Sequence, residues 1–408
     1  MALVVQKYGG TSVGDPSRIR AVADRVARRR QSGDSVVVIV SAMGHSTDEL
    51  IRMAREVTAN HHPREMDMLL TAGERISMAL LAMAIRDHGV EAMSLTGSQA
   101  GILTDMIHGQ ARIRDIRAFR VEEGLADGKV VIVAGFQGVN PDTKEITTLG
   151  RGGSDATAVA MAAALGADAC EIYTDVDGVF TADPRVVAEA RKLDEVGYEE
   201  MLELASSGAR VLMERSVEFG RRYGVPIHVR SSFHEGSGTW VKESTVEQAS
   251  VVGIAHDSEI AELTVRSVPD VPGMAAALFG TLAEARVPVD LILQSAPQSG
   301  VADISFTVPI DRMPEARSVV EADASRIGAG SVDVETGIGR VSVIGSGLAA
   351  HTGFAARMFS VLADAGIDIR SISTSPIRVT CVIDEEHVEK AVQRLHQAFD
   401  PPDGPVAS

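Results

Sequence analysis

Lys7, followed at once by Tyr8-Gly9-Gly10-Thr11-Ser12, brings together the groups that hold a phosphate. Glycines let backbone N–H groups close on an anion, and a lysine at a strand tip supplies a point charge for the terminal phosphate. The order excludes the P-loop G-x-x-x-x-G-K-[ST], in which the lysine follows the glycines. A second constellation is Thr147-Thr148-Leu149-Gly150-Arg151-Gly152-Gly153-Ser154-Asp155, running into the alanine-rich stretch Ala156–Leu165. An arginine among glycines at a helix N-terminus lets dipole, free N–H groups and guanidinium converge on an anion, and the guanidinium can grip a carboxylate with two bonds. Thr71-Ala72-Gly73-Glu74-Arg75 sets a glycine and two opposite charges inside an apolar helical pattern, as either a solvated face or a site. The segment from Thr174-Asp175-Val176-Asp177-Gly178 through Phe180 to Asp183-Pro184-Arg185 carries a D-x-D-G fragment, but it lacks the third acidic position and closing glutamate of a calcium loop. It is better taken as nucleotide-facing, with Thr174 and Asp175 near base or ribose and Arg185 near phosphate.

The elements that must position these groups follow from apolar spacing. An apolar run ending at Lys7 predicts a buried strand, and Asp15-Pro16 opens a helix to about Gln31 with Ile19, Val22, Ala23 and Val26 at helical spacing. Ser35–Val40 is nearly all apolar, as a strand buried on both faces must be, and it leads into Ser41-Ala42-Met43-Gly44. Strand, helix, strand of this kind predicts a parallel sheet with ligands outside the carboxyl ends of its strands, which places both loops at the binding edge. A long helix over about Arg64–Asp87, strands at Lys129–Gly135 and Glu171–Tyr173, two helices within 197–223 and a last strand at Pro226–Arg230 complete this domain. Ser231–Ser244, rich in Ser, Gly and Glu, is expected to be the domain boundary.

Beyond it Asp270-Val271-Pro272-Gly273-Met274-Ala275 recurs as Ala350-His351-Thr352-Gly353-Phe354-Ala355, and Val287-Pro288-Val289-Asp290 recurs as Ile367-Asp368-Ile369-Arg370. Two copies of strand, glycine-led helix, strand predict two small, paired α+β units. Gly345-Ser346-Gly347-Leu348-Ala349-Ala350 fits a dinucleotide fingerprint, but too little chain follows for the βαβαβ unit that binds NAD. At 408 residues, 45% apolar and 23% charged, with no apolar run near the length of a membrane helix and no signal peptide, the chain is expected to be a globular, cytosolic protein of two or three domains. Lys+Arg 39 against Asp+Glu 56, a net charge of −17, disfavours nucleic acid or anionic membrane as partner. Cys170 and Cys381 lie in apolar runs and are expected to be buried thiols.

Taken in order, Lys7–Val13, Thr71–Arg75, Thr147–Asp155, Thr174–Gly178 and the C-terminal pair resemble aspartate kinase over nearly the whole chain. The resemblance is strongest to the lysine-sensitive or lysine-plus-threonine-sensitive bacterial type with two C-terminal ACT units. It implies an α/β amino-acid-kinase fold, a central mostly parallel sheet with helices on both faces, over residues 1–240. Two α+β, ferredoxin-like ACT units are expected over 250–335 and 336–402, the first strand of the former being available to pair with the second unit. Implied too are MgATP as donor, L-aspartate as acceptor at the head of lysine, threonine and methionine synthesis, and an ACT-mediated homodimer or an α2β2 assembly. One polypeptide forming a homodimer is preferred, because Trp240–Val271 contains no methionine from which a separate β chain would start, although a valine codon at Val246 or Val251 could also serve as a start.

Carried over by motif, Lys7, Tyr8, Gly9, Gly10, Thr174, Asp175, Phe180, Asp183, Arg185 and Arg210 correspond to ATP contacts. Ser41, Thr47, Glu74, Arg151, Gly152, Gly153 and Ser154 correspond to the aspartate site, Arg151 holding a carboxylate and Glu74 the ammonium. Lys7, Glu74, Arg151 and Asp155 would carry catalysis, without a protein-held metal. Asp270, Gly273, Met274, Ala275, Asp290, Gln294, Phe354, Ala355 and Asp368 correspond to effector-contacting positions. The chain departs from the family at Arg210, usually lysine, at Pro288 and Asp368, usually asparagine, at Thr352, usually proline, and at Pro376, usually glutamate. Catalysis is therefore expected to be kept and feedback by lysine or threonine to be altered. The acceptor β-carboxylate, with a pKa of about 3.9, is already ionised at neutral pH, so no general base is required. Two alternatives stay open: a related kinase acting on glutamate, acetylglutamate or a nucleotide, and a non-catalytic amino-acid sensor.

Overall fold

The computed structural model describes residues 1–243, 250–324, 326–346, 348 and 353–399; Ala350, His351, Thr352 and Val246 lie outside them. Its contacts divide the chain into two units. The first holds Met1–Phe180, Arg191–Ser206 and the described part of Arg210–Val246; the second holds Thr181–Ala190, Ser207–Ala209 and the described chain beyond. The break thus falls not only in the Ser/Gly-rich segment but also around Thr181–Ala190, which the sequence pattern assigns to the first domain.

The strands of the first unit are β1 (Leu3–Tyr8), β2 (Ser35–Val40), β3 (Ala92–Leu95), β4 (Ile102–Thr104), β5 (Ile113–Ile116), β6 (Val130–Ala134), β7 (Gln137–Val139), β8 (Ile146–Thr148), β9 (Ala169–Thr174), β10 (Glu195–Gly197), β11 (Ile227–Ser231) and β12 (Thr239–Lys242). Its helices are α1 (Pro16–Gln31), α2 (Ser46–Val57), α3 (Pro63–Arg86), α4 (Phe119–Ala126), α5 (Gly153–Leu165), α6 (Tyr198–Ser206) and α7 (Glu214–Tyr223). Eight strands form one sheet in the order β10-β12-β11-β9-β1-β2-β6-β3, parallel everywhere except between β11 and β12. Val36, Val38 and Val40 of β2 face the core built with α1 and α3. The alternate residue Ile39 points the other way, toward the start of α5. This two-sided burial explains the unbroken apolar run in β2. Asp15 starts α1 by accepting hydrogen bonds from the backbone N–H groups of Ser17 (2.8 Å) and Arg18 (3.0 Å), ahead of Pro16.

Three features depart from the sequence expectation. A second, four-stranded sheet, β5-β4-β7-β8, stands beside the first, built from strands only three or four residues long. The segment Ser231–Ser244 is not a bare linker, and Pro226–Arg230 is not the last strand: β12 follows and pairs antiparallel with β11. It is pinned by buried Thr239, whose hydroxyl donates to the Leu193 carbonyl (2.5 Å) and accepts from Val179 N–H (2.9 Å), and by Trp240 stacked on His228 at 4.0 Å. Finally, α3 is long and apolar enough to cross a membrane. Its buried positions include Asp67, Thr71, Glu74 and Ser77, polar groups that a hydrocarbon core penalises, and it packs on α1, so it is a core helix.

The second unit is one antiparallel sheet of six strands in the order β14-β15-β13-β16-β18-β17, namely β13 (Ser250–Pro269), β14 (Ile292–Gln294), β15 (Val301–Pro309), β16 (Val332–Ser346), β17 (Ser371–Ser375) and β18 (Arg378–Asp384). Its helices are α8 (Met274–Glu284), α9 (Met313–Ala324), α10 (Gly353–Asp364) and α11 (Val388–Phe399). The repeat is visible in two separate cores: Leu278, Leu282 and Val287 anchor one, and Met358, Leu362 and Ile367 the other. The long strands β13 and β16 pair from Ser250 with Ser346 to Val265 with Val332 and so run through both halves. Cys170 in β9 and Cys381 in β18 are buried free thiols.

Thr239→Val keeps shape but removes both hydroxyl bonds, orphaning the buried Val179 N–H. The expected cost is about 1–3 kcal/mol in urea unfolding, with an unchanged slope on denaturant. A loss below a few tenths would show that β12 is not fixed by this hydroxyl.

Candidate active site

The carboxyl end of β1 meets the start of α5 at a near-buried ion pair. Lys7 Nζ lies 2.6 Å from Asp155 Oδ1, the side chains being 11% and 10% exposed. Gly9, next in the loop, leaves so little room that a Cβ there would sit 3.3 Å from Lys7 Nζ. Asp155 is in the first turn of α5, after Gly152, Gly153 and Ser154, so the lysine, the carboxylate and the N–H groups of that turn share one corner. Tyr8 is fully buried and stacks on Tyr173 at 4.7 Å, beneath the loop rather than in it.

Glu74 enters from α3. Its Oε1 accepts from Ala42 N–H at 3.2 Å, in the loop that follows β2, and its buried Oε2 has no partner among the described residues. Burial pushes this carboxyl up to about 7, against hydrogen bonds from its own and the Ala42 backbone that pull the other way. α3 comes this close because residue 73 is glycine: a Cβ there would lie 2.7 Å from that of Ala42. Of the two charges in that motif, Glu74 is therefore the site-facing one.

Arg151 is exposed and makes none of the described hydrogen bonds or ion pairs. It is held by a backbone only glycine permits, since Gly152 has φ 65° and a Cβ there would lie 1.8 Å from Met213 Cγ. Ser154 borders Gly135 at the end of β6. Ser41 N–H donates to the Tyr8 carbonyl at 3.1 Å, which fixes its loop beside Lys7, and Gly10 packs against the Ala42 and Gly44 carbonyls. Thr47 lies half-buried in the first turn of α2. At the end of β9, Thr174 carbonyl accepts from Ser232 N–H (2.8 Å), and its hydroxyl meets Asp175 at 3.2 Å.

The remaining sequence-assigned ATP contacts are divided between the two units. Asp183 and Arg185 belong to the second unit and bind each other in a fork, Arg185 Nη2 donating to Asp183 Oδ2 at 2.6 Å. Hydrogen bonding from Arg185 keeps the Asp183 carboxyl below its usual range. Phe180 ends its stretch of the first unit in an antiparallel bridge to Lys192, and Arg210 is exposed between α6 and α7. Three groups missed in the sequence also brace the corner: Asp67, His108 and Arg215, discussed below.

Residues 2–231 match the model of the Amino acid kinase family, and residues 265–323 and 341–399 match that of the ACT domain. An aspartokinase of Mycolicibacterium smegmatis is 55% identical over 405 residues, 98% of this chain and 96% of that protein. The chain belongs to the aspartokinase family. Aspartokinase III of E. coli, solved with aspartate and ADP in its R-state, superposes with a TM-score of 0.85 at 27% identity, over 98% of this chain and 100% of that one. The same enzyme with lysine and aspartate in its T-state gives a TM-score of 0.73 over the same shares.

In the family's regulatory part, Asp270, Gly273, Met274, Ala275 and Gln294 line one cavity of about 220 Å³ with Ala302 and Ile304. Asp290 lies outside this lining: it is ion-paired with Arg340, which also holds Asp257 at 3.1 Å. That departs from its assignment as an effector contact, since Arg340, 9% exposed, needs these carboxylates. Phe354 and Ala355 pack against the second core, Phe354 stacking on Phe399 at 5.7 Å, and Asp368 is exposed.

Glu74 is expected to set a pH-dependent stability term. Its folded-state pKa of about 7 exceeds the ordinary 4.5, so the folded state holds the extra proton between those values. The stabilisation is full below about 4.5 and is lost as pH rises through about 7. Glu74→Gln, always neutral, should match wild type at pH 4.5 and exceed it at pH 8 by on the order of 3 kcal/mol in urea unfolding. An equal gap at both pH values would place the effect elsewhere.

Proposed function

We propose that the first unit transfers the terminal phosphoryl group of ATP to the β-carboxylate of L-aspartate, giving 4-phospho-L-aspartate, the first step of lysine, threonine and methionine synthesis in the cytoplasm. One juxtaposition carries this reading: Lys7, paired with Asp155 at the N-terminus of α5, and Ala42, bound by Glu74, stand at the ends of the neighbouring strands β1 and β2, and Glu74 keeps a buried oxygen without a partner among the described residues. Lys7 and the α5 N–H groups are anion binders, while a buried carboxylate with a free oxygen calls for a cation. A donor phosphate and an α-ammonium answer those two demands. Arg151, with its guanidinium uncommitted, takes a carboxylate of the acceptor in a two-bond fork.

The chemistry requires alignment more than proton transfer. The acceptor carboxylate is ionised at neutral pH, so the protein's task is to bring two anions together and offset their repulsion. Asp155 holds Lys7 in place until a phosphate competes for it. Magnesium is read as arriving on the nucleotide's phosphates rather than in a dedicated protein cage. That ion would neutralise phosphate charge. Glu74 binds the ammonium in its ionised form, so kcat/KM for aspartate falls below about pH 7 while kcat at saturating aspartate stays level.

The test is a coupled assay of ATP turnover with aspartate, followed by hydroxylamine trapping of the acyl phosphate. Lys7→Ala, Glu74→Ala and Arg151→Ala should each lose about 10²–10³ in rate. Full activity of Lys7→Ala would overturn the assignment, and turnover with glutamate but not aspartate would move it to a related kinase.

The regulatory part supports a second reading, of weakened feedback, together with a homodimer formed through it. The cavity near Asp270 and Gln294 suits a small amino acid, with glycine-opened backbone for its charged ends. Pro288 offers no backbone N–H and Asp368 no amide donor, and both are exposed, where a ligand at an interface between chains would meet them. Threonine and lysine added together are expected to inhibit poorly, binding roughly ten- to a hundredfold more weakly for one or two missing hydrogen bonds. Inhibition at sub-millimolar concentrations would refute this, whereas Pro288→Asn with Asp368→Asn should tighten control.

A further inference from the structure

Asp67 is a buried carboxylate that the chemistry above does not use. It lies on α3 two helical turns before Glu74, on the same face, and is 1% exposed. A charge so placed must be paired, and its partners come from two other elements. Thr148, the last residue of β8, donates its hydroxyl to Asp67 Oδ1 at 2.5 Å. In the loop after β4, Gly109 N–H donates to both oxygens (3.0 and 3.3 Å), and His108 Nδ1 lies 2.6 Å from Oδ2.

We propose that Asp67 and His108 are positioning residues that hold the Arg151 loop at a fixed distance from Glu74, and so set the fit of the amino-acid acceptor. The proposal rests on the functional reading given above. Gly150, which with Leu149 separates the gripped strand end from Arg151, packs so tightly on this loop that a Cβ there would lie 3.1 Å from the Gly109 carbonyl. Arg215 closes the same stretch from α7, donating to the Leu149 carbonyl (2.9 Å) and the Ala111 carbonyl (3.2 Å). One carboxylate thus ties the helix that carries Glu74 to the loop that carries Arg151. Those two side chains must engage opposite charges of one small molecule, so their spacing has to match the spacing within that molecule. The donor phosphate is held at Lys7 on β1, a strand that none of these hydrogen bonds touches.

The side chain of His108 is 22% exposed, so it can be cut back without opening the core. In His108→Ala, KM for aspartate should rise about tenfold, the equivalent of one charge-assisted hydrogen bond, while KM for ATP and kcat change less than about twofold. His108→Asn, whose amide can donate to Asp67 from nearly the same place, should recover most of the loss. Hydrogen exchange of the peptide 147–153 should quicken in His108→Ala and return toward wild type in His108→Asn. A uniform loss in kcat and both KM values, or an asparagine variant as impaired as alanine, would overturn the proposal. Unaltered exchange in His108→Ala would overturn it as well. If the wild-type protein did not phosphorylate aspartate, the functional reading would fall, while the exchange comparison, which needs no turnover, would still decide whether the tie exists.

Discussion

An ammonium removed from water needs a counter-charge at hydrogen-bonding distance, and Lys7 finds it in Asp155. The pair fastens the central strand of the large sheet to the first turn of the helix that covers it. That helix is almost wholly alanine and other small residues, which lets it lie close on β1, β2 and β9. Once strand and helix are locked, the loops after β1, β2 and β6 and the glycine turn before α5 meet at one corner. The pair is also self-cancelling, so Lys7 and Asp155 together add no net charge to the corner.

Glu74 is the opposite case. Its burial is only partly offset by backbone hydrogen bonds, and with a pKa of about 7 the carboxyl is divided between neutral and ionised forms near neutrality. A fold selected only for stability would place glutamine or an apolar residue there; on the proposed reading the carboxylate is a local cost accepted for binding a cation. The closeness of Gly73 to Ala42 shows the same priority, since a side chain would relieve the helix but push the carboxylate out of reach.

Much of this was legible in the sequence. The apolar runs of β1, β2 and β6, the capped start of α1, the glycine–arginine turn before α5 and the C-terminal repeat all announce themselves through local pattern. The small sheet escaped because strands of three or four residues with mixed polarity carry no period. β12 escaped because its neighbours Ser237, Gly238 and Glu243 look like a linker, while Thr239 is fixed by partners at Val179 and Leu193. Asp67 and His108 stand 41 residues apart and become a pair only when α3 and the loop after β4 are folded together. The pairing of Asp290 with Arg340 is equally non-local, 50 residues apart. In each case the residue's role is set by burial and a distant partner.

The stretch Thr181–Ala190 has a consequence for how separable the parts are. It leaves the first unit after Phe180 and rejoins it at Arg191, and in between it helps build the core around α10 and α11. Ala182 and Val187 are buried there, Ile254 N–H binds the Thr181 carbonyl at 2.7 Å, and the Thr181 hydroxyl meets His396 Nε2 at 2.9 Å. A cut near residue 245 would therefore not release two self-sufficient pieces. One fragment would carry stranded apolar side chains into water, and the other would lose a wall of its core. Any exchange of regulatory modules between relatives would have to graft this excursion as well, so the chain behaves as an interlaced pair and not as beads on a string.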